Sequence, residues 1–331
     1  MAFDPKTFQK GLVSVIIPTY NRPDMALRAV RSVLEQTYGA TQLILVDDGS
    51  TDNTRQVFEN YPGVEYHWQS NARQAAARNL GLSFAKGEFI AYLDSDDWWH
   101  PDYLTELVAA LSRTGAGLAF SGWKYLITVK VADAPSETPL DQDKVLARFC
   151  TQREGDWYFL DPQRTRDLLV EHAPVNSSGI VLRRECHWNM WDQKLKYAED
   201  VMLLLEIALT SKPACVFTLK PLWFKCLHDS NDLERIAASA DEQRGFLQAA
   251  VRHGHYIYDK IEGKLTSHEK ALVNLRIATS CFDLGYFESQ QGCLSAACKA
   301  YFDSFKVCPS PKPLVAMLKA VLRSGKRAFS K

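Results

Sequence analysis

The stretch that decides the fold lies near the N-terminus and runs Val13-Ser-Val-Ile-Ile-Pro-Thr-Tyr-Asn21. Residues 13–17 form an apolar run of strand length, which is typical of a strand covered on both faces. Pro18 to Asn21 break the strand, and Asn21 with Pro23 predicts the start of a helix that extends to about Thr37. A strand, a turn and a helix in this order are the beginning of a βαβ unit.

The same alternation continues along the chain. Strands are predicted over 42–46, 64–68, 88–93, 117–120 and 180–182, and helices over 72–85 and 101–111, with Thr51 or Asp52 as the cap of a further helix. Residues 133–143 are polar and contain proline, so a loop is expected there. Short strands alternating with helices predict an α/β fold with a mainly parallel central sheet flanked by helices.

Composition and charge exclude several classes of protein. The chain has 331 residues, 46% of them hydrophobic and 24% charged, which is typical of a folded globular protein. Its 39 basic and 39 acidic side chains cancel, so no nucleic acid partner is expected. Eight scattered cysteines without a CxxC pair favour a reduced compartment. Without a signal peptide or an apolar run of membrane-spanning length, we expect a cytoplasmic location.

Polar side chains follow three of the predicted strands. Tyr20 follows the first, Asp47 and Asp48 follow the second, and the acidic turn Asp94-Ser-Asp-Asp97 follows the strand over 88–93. Ligands bind beyond the carboxyl ends of strands in open parallel sheets, so these segments should meet in one cleft.

The acidic turn predicts a metal site. Two carboxylates ~4 Å apart repel by about 4 kcal/mol at an effective dielectric constant near 20, and a cation removes that cost. Carboxylate oxygens suit Mn²⁺ or Mg²⁺ that also touches a diphosphate. The alternative is that these acids cap the following helix.

In combination, four segments of this sequence resemble family-2 glycosyltransferases of the GT-A fold. They are Val13-Ser-Val-Ile-Ile-Pro-Thr-Tyr-Asn21, Leu45-Val-Asp-Asp-Gly-Ser-Thr-Asp52, Ala75-Ala-Ala-Arg-Asn-Leu-Gly81 and Tyr92-Leu-Asp-Ser-Asp-Asp-Trp98. The resemblance covers residues 12 to about 110. It implies a GT-A domain over 1–231, with a donor half over 12–120 and an acceptor half over 121–231. A helical C-terminal region over 232–331 would follow.

The resemblance also implies donor-binding roles. Tyr20 would stack on the nucleotide base and Asp48, with Asp47, would accept hydrogen bonds from the base or ribose. Asp94 would face the ribose or sugar, and Asp96 would bind the metal. Alternatives are that Tyr20 fills a loop core and that Arg78 pairs with a structural carboxylate. The full donor-binding set implied is Pro18, Tyr20, Asp47, Asp48, Arg73, Arg78, Asp94 and Ser95.

The acceptor side follows from a later segment. Tyr197-Ala-Glu-Asp200 opens an apolar run and is similar to the family's segment that presents the catalytic base, with Asp200 preferred over Glu199. Both acids could instead cap a helix N-terminus. The resemblance implies a metal contact for His228. Trp98 and Trp99 are candidates for a platform beside the sugar, or for core residues.

The expected function is that of a metal-dependent inverting glycosyltransferase of the hexosyl or N-acetylhexosaminyl class. It would take a UDP-sugar, with dTDP as the second choice, and act on a glycan or lipid-linked acceptor in cell-surface polysaccharide synthesis. Two alternatives are a non-catalytic homologue that binds a glycan or partner, and a receiver-like signalling module. An NAD-dependent oxidoreductase is disfavoured because no GxGxxG follows the first strand.

The C-terminal segment adds a possible membrane contact. Pro309, Pro311 and Pro313 precede a last amphipathic helix in which apolar residues alternate with Lys319, Arg323, Lys326 and Arg327. Such a helix can lie on the inner face of an anionic membrane. Its apolar side can equally pack on the rest of the protein, and its charges can be a solvated face.

Overall fold

The computed structural model describes residues 8–127, 149–150, 152–172, 175–187, 190–227 and 239–329. Two compact units divide the chain: Met1–Lys194 with Glu199–His228, and Leu195–Ala198 with Asp229–Lys331. Two of the sequence predictions, the loop over 133–143 and the role of His228, lie outside the described residues.

The first unit begins with four strands and three helices. They are β1 (Gln9–Thr19), α1 (Pro23–Leu34), β2 (Thr41–Asp47), α2 (Thr54–Phe58), β3 (Val64–Trp68), α3 (Gln74–Phe84) and β4 (Gly87–Tyr92). β1 pairs in parallel with β2 and with β4, and β2 pairs in parallel with β3. The register places Thr19 beside Asp47, so the carboxyl ends of these strands share one edge of the sheet. The strands and helices predicted for this part are confirmed, except that α1 ends at Leu34, short of Thr37, and that Asn53 rather than Thr51 or Asp52 is the N-cap of α2.

The second part of the unit makes the sheet mixed. It contributes β5 (Trp98–Trp99), α4 (Tyr103–Thr114), β6 (Leu118–Ile127), β7 (Gln152–Glu154), β8 (Trp157–Leu160), α5 (Pro162–Glu171), β9 (Ile180–Arg183), α6 (Glu199–Thr210) and β10 (Cys215–Leu227). The strand order is β3-β2-β1-β4-β9-β6-β10-β8-β7, and β5 pairs with β10. β9 lies antiparallel between β4 and β6, and β8 lies antiparallel to β10. The α/β fold is confirmed, but the sheet is mixed: β6 and β10 pair in parallel, as the first four strands do, whereas β5, β7, β8 and β9 pair antiparallel.

The core lies on both faces of β1. Val15 and Ile17 face one hydrophobic cluster and Ile16 faces the other, and all three are fully buried. Each such side chain contributes about 1.5–3 kcal/mol through burial. α3 packs closely on this strand: a Cβ at Gly81 would lie 2.5 Å from Cγ2 of Ile16. This contact holds the helix that carries Arg78 against the sheet.

The second unit is helical throughout the described part of 239–329. It contains α7 (Ala240–Ile261), α8 (Ser267–Gln290), α9 (Leu294–Val307) and α10 (Pro311–Phe329). A capping box between Thr266 and Glu269 starts α8. The predicted helical region is confirmed. Among the residues that the structure describes, we find no helix with both the length and the apolarity needed to cross a bilayer.

Candidate active site

The loops after β1 and β2 interlock at the carboxyl edge of the sheet. The amide of Asn21, whose φ is +50°, donates to Ser50 Oγ at 2.9 Å, and Asn21 Oδ1 accepts from the Thr51 amide at 2.7 Å. This arrangement leaves Tyr20 44% exposed, so its ring is open to a ligand. Pro18 is buried in β1, which argues against the donor contact predicted for this residue.

The two acids that follow β2 differ in their surroundings. Asp47 is fully buried; its Oδ1 accepts from the Ser50 amide at 2.8 Å and its Oδ2 from Tyr66 Oη at 2.7 Å. With both oxygens bonded inside the protein, Asp47 stabilises the loop, and its donor contact stays a prediction. Asp48 uses Oδ1 for both its bonds, from Gln69 Nε2 at 2.7 Å and the Ala72 amide at 2.9 Å.

The acidic turn brings three carboxylates together, and each could offer a metal ligand. One oxygen from each of Asp94, Asp96 and Asp97 lies within 4.8 Å of the others. Asp94 Oδ1 accepts from Arg78 Nη2 at 2.7 Å, and Asp96 Oδ2 lies 3.2 Å from Arg22 Nη1. Hard oxygen donors at this spacing fit Mn²⁺ or Mg²⁺. The turn therefore suits the predicted cation.

Asp97 anchors the turn to the rest of the sheet. Its Oδ2 accepts from Ser178 Oγ at 2.7 Å and its Oδ1 from the Cys226 amide at 3.2 Å. Burial raises the pKa of Asp97 to about 8, against the opposing effect of Lys225. Ser95 is also buried, which argues against a donor contact by its hydroxyl.

Arg78 connects the acidic turn with the start of α6. It is 2% exposed on α3, and its Nη1 lies 3.5 Å from Glu199 Oε1 while its Nη2 donates to Asp94 and, at 3.2 Å, to Ser177 Oγ. Burial alone would lower the pKa of Arg78, but Asp94 and Glu199 raise it overall. Arg73, by contrast, is exposed just before α3 with φ +72°.

The predicted catalytic pair stands at the N-terminus of α6. Glu199 is buried and accepts from Gln74 Nε2 as well as from Arg78, so it is held by two donors. Asp200 is half-buried, and its Oδ1 accepts from the Val201 amide at 2.8 Å. Burial raises the pKa of Asp200, and of Glu199 as well. A raised pKa makes a carboxylate a stronger base near neutral pH.

The two tryptophans after the turn have different environments. Trp98 is half-buried between Phe224, with ring centroids 5.5 Å apart, and the Arg28 guanidinium, 4.2 Å from its ring. Trp99 is buried, stacks on Tyr103 and donates from Nε1 to the Ser178 carbonyl at 2.7 Å. Trp99 is thus a core residue, which argues against the predicted acceptor contact.

Several residues of the site were not singled out from the sequence. Arg22 and Arg28 hold the acidic turn, Arg28 through Nη2 at 3.3 Å from the Asp96 carbonyl. Lys225 of β10 interacts electrostatically with all three carboxylates of the turn. One signal was available: Lys225 is a cation within the apolar strand sequence that precedes His228.

The glycosyl transferase family 2 model matches residues 14–189, more than half of the chain. The chain belongs to this family. Membership sets aside the receiver-like module and the NAD-dependent oxidoreductase.

Two curated relatives of this family-2 chain carry pathway names. The putative teichuronic acid biosynthesis glycosyltransferase TuaG of Bacillus subtilis is 36% identical over 138 residues, which are 40% of this chain and 52% of the relative. The putative colanic acid biosynthesis glycosyl transferase WcaA of Escherichia coli is 34% identical over 134 residues, 39% of this chain and 48% of the relative. The chain spans about half the length of these two relatives.

Solved structures share the fold over most of the chain. S. aureus TarS 1-349 in complex with UDP has a TM-score of 0.60 at 17% identity, covering 95% of this chain and 89% of that one. The mannosyltransferase PcManGT from Pyrobaculum calidifontis, in complex with GDP-Man and Mn²⁺, has a TM-score of 0.53 at 18% identity, covering 98% and 89%. At identities of 17% and 18%, this similarity shows the fold alone.

Proposed function

We propose that the chain is a metal-dependent inverting glycosyltransferase that moves a hexosyl or N-acetylhexosaminyl group from a UDP-sugar to a hydroxyl of a glycan or lipid-linked acceptor. One observation carries the proposal. Arg78 Nη2 lies 2.7 Å from Asp94 and its Nη1 lies 3.5 Å from Glu199, so one side chain spans the donor turn and the acceptor acids. A donor that binds at the acidic turn would then place its sugar near Asp200, which is next to Glu199.

On the donor side, Tyr20 stacks on the base, since its ring is exposed beside the Asp48 loop. Asp48 accepts a hydrogen bond through Oδ2, because both its protein donors bind Oδ1. UDP is the proposed nucleotide, a choice supported by the UDP and UDP-GlcNAc complexes of TarS. The names of TuaG and WcaA support an acceptor in cell-surface polysaccharide synthesis.

Asp96 is the proposed direct metal ligand, with Asp94 oriented toward the ribose or sugar by Arg78. A bound Mn²⁺ or Mg²⁺ would supply positive charge to the departing diphosphate. Asp97 stays a structural anchor, since both its oxygens accept hydrogen bonds within the protein.

Asp200 is the proposed base that takes the proton from the acceptor hydroxyl. Inversion requires the acceptor oxygen to approach the anomeric carbon from the face opposite the leaving diphosphate. Glu199 is bound by Gln74 and Arg78, so it positions the start of α6 and leaves Asp200 to act on the acceptor. Trp98 remains a candidate for acceptor contact because part of its ring is accessible.

Membrane contact through α10 is part of the proposal, and the two faces of this helix support it. Ala316, Met317 and Ala320 pack in the helical unit. The opposite face exposes an apolar stripe of Leu314, Val315, Leu318, Val321 and Leu322. At 3.6 residues per turn, Lys312, Lys319 and Arg323 fall along one border of this stripe. An apolar stripe with a cationic border suits an anionic bilayer.

A panel of nucleotides tests the donor assignment. Purified protein is heated with UDP, dTDP or GDP, each with Mn²⁺ or with a chelator. A ligand at 100 times its Kd stabilises the folded state by about 2.7 kcal/mol, so the bound nucleotide raises Tm. We expect UDP with Mn²⁺ to give the largest rise. Equal rises in Tm for all three nucleotides, or no rise at all, would contradict the choice of UDP. A separate assay with a UDP-sugar distinguishes the enzyme from a glycan-binding homologue, which would not turn the sugar over.

A further inference from the structure

The acidic turn is already surrounded by cations supplied by the protein. Arg78 lies 2.7 Å from Asp94, and Arg22 lies 3.2 Å from Asp96. Lys225 acts on all three acids from β10. Three positive side chains therefore face three carboxyl groups, and a divalent cation that enters must compete with them.

Arg22 differs from the other two cations in its freedom to move. Its side chain is 32% exposed, whereas that of Arg78 is 3% exposed and Lys225 is half-buried on β10. Arg22 also lies in the loop between Tyr20 and α1, where its side chain makes no capping bond to the helix. Arg28 binds the main-chain carbonyl of Asp96, so the turn keeps an anchor when Arg22 leaves.

We propose that Arg22 pairs with Asp96 in the ligand-free protein and transfers to the diphosphate when metal and nucleotide bind. This inference rests on the proposed metal and diphosphate site. A guanidinium 3.2 Å from Asp96 Oδ2 repels a cation on the same carboxylate. Phosphate oxygens offer the displaced guanidinium a bidentate partner of the same charge sign as the carboxylate.

The exchange couples the two ligands. Metal alone must displace Arg22 without giving it a new partner, so Mn²⁺ should bind weakly in the absence of nucleotide. UDP supplies that partner, so each ligand should strengthen the binding of the other by the same factor. Arg22 is thus a positioning residue that makes cation binding depend on the donor.

The test measures Mn²⁺ binding by electron paramagnetic resonance, with and without UDP, and UDP binding by calorimetry at saturating Mn²⁺. The variants are Arg22→Ala and Arg22→Lys, with Arg31→Ala as a control that removes an exposed cation from the adjacent helix α1. Circular dichroism melts establish that each variant is folded.

For Arg22→Ala we expect Mn²⁺ alone to bind about two- to fivefold more tightly, the range for loss of a partly exposed ion pair. UDP with Mn²⁺ should bind about tenfold more weakly, as for loss of one charge-assisted hydrogen bond. The Mn²⁺ and UDP affinities of Arg22→Lys should lie between those of Arg22→Ala and the wild type.

Three results would overturn the inference. Unchanged coupling between Mn²⁺ and UDP in folded Arg22→Ala would show that Arg22 does not exchange partners. If Arg31→Ala changes the Mn²⁺ and UDP affinities as much as Arg22→Ala does, the effect comes from the general loss of a nearby positive charge and not from an exchange of partners by Arg22. If the wild-type chain binds neither ligand, the proposed function fails and this inference fails with it.

Discussion

Replacing Arg78 by methionine tests how the two halves of the site are held together. The substitution keeps a long side chain beside Trp191 but removes the charge that serves Asp94 and Glu199. Breaking a buried ion pair from one side costs about 3–5 kcal/mol. Gln74 still donates to Glu199, and Asp94 is partly exposed, so we expect the low end of this range.

The assay is thermal and urea unfolding at several pH values. A loss of about 3 kcal/mol corresponds to a fall in Tm of roughly 6–12 °C for a unit of this size. Burial raises the pKa of Glu199, and removing Arg78 removes a group that lowers it. A carboxyl whose folded-state pKa is raised stabilises the fold at low pH and loses that contribution as pH rises. The deficit of Arg78→Met should therefore shrink at acidic pH.

Arg55→Met is the matched control. Arg55 and Glu59 form an exposed ion pair at 2.7 Å on α2, which solvent screens strongly. If Arg78→Met costs no more than this control, or if its deficit grows at acidic pH, the description of Arg78 as the buried link between the two sides is wrong.

Three further predictions concern single residues or faces. Because burial raises the pKa of Asp97 to about 8, the stability of the wild type should fall as pH rises through that value. The stability of Asp97→Asn should depend less on pH. A parallel decline of stability in both proteins would contradict the raised pKa of Asp97. Asp200→Asn should lower the transfer rate by about 10²–10⁴-fold with UDP binding intact, and Glu199→Gln should lose less; the reverse order would exchange their roles. The double variant Leu318→Glu, Leu322→Glu should bind anionic vesicles about tenfold more weakly in a co-sedimentation assay, whereas the control Leu275→Glu on α8 should bind as the wild type does. Equal binding of the wild type to neutral and anionic vesicles would argue against a role for the cationic side chains of α10.

The first half of the fold could be predicted because its signals are local. The apolar runs of β1, β2 and β4 end in turn residues, and their burial on both faces requires helices on both sides of the sheet. β7 gave no such signal, since Gln152–Glu154 is polar and exposed, and it pairs with β8 at the sheet edge. The antiparallel insertion of β9 depends on which strands it meets, which its four residues do not encode.

The site shows the same division between local and distant information. The sequence predicts that the acids lie at strand ends, but it does not predict their hydrogen-bond and ion-pair partners. The resemblance predicts a donor contact for Asp47, but its bond with Tyr66, 19 residues away, cannot be predicted from the sequence. Trp99 is held by Ser178, 79 residues further on, and Arg22 meets Asp96 across 74 residues. Sequence spacing does not show such contacts until the sheet is assembled.

Turnover of a UDP-sugar by wild-type protein and by Asp96→Ala, each with Mn²⁺ and with a chelator, tests the central claim most directly. The Asp96 side chain is 16% exposed within the acidic turn, which Asp97 anchors, so the variant should stay folded. The proposed mechanism predicts UDP release that requires both Mn²⁺ and Asp96. Full turnover by Asp96→Ala, or by the wild type in chelator, would contradict it.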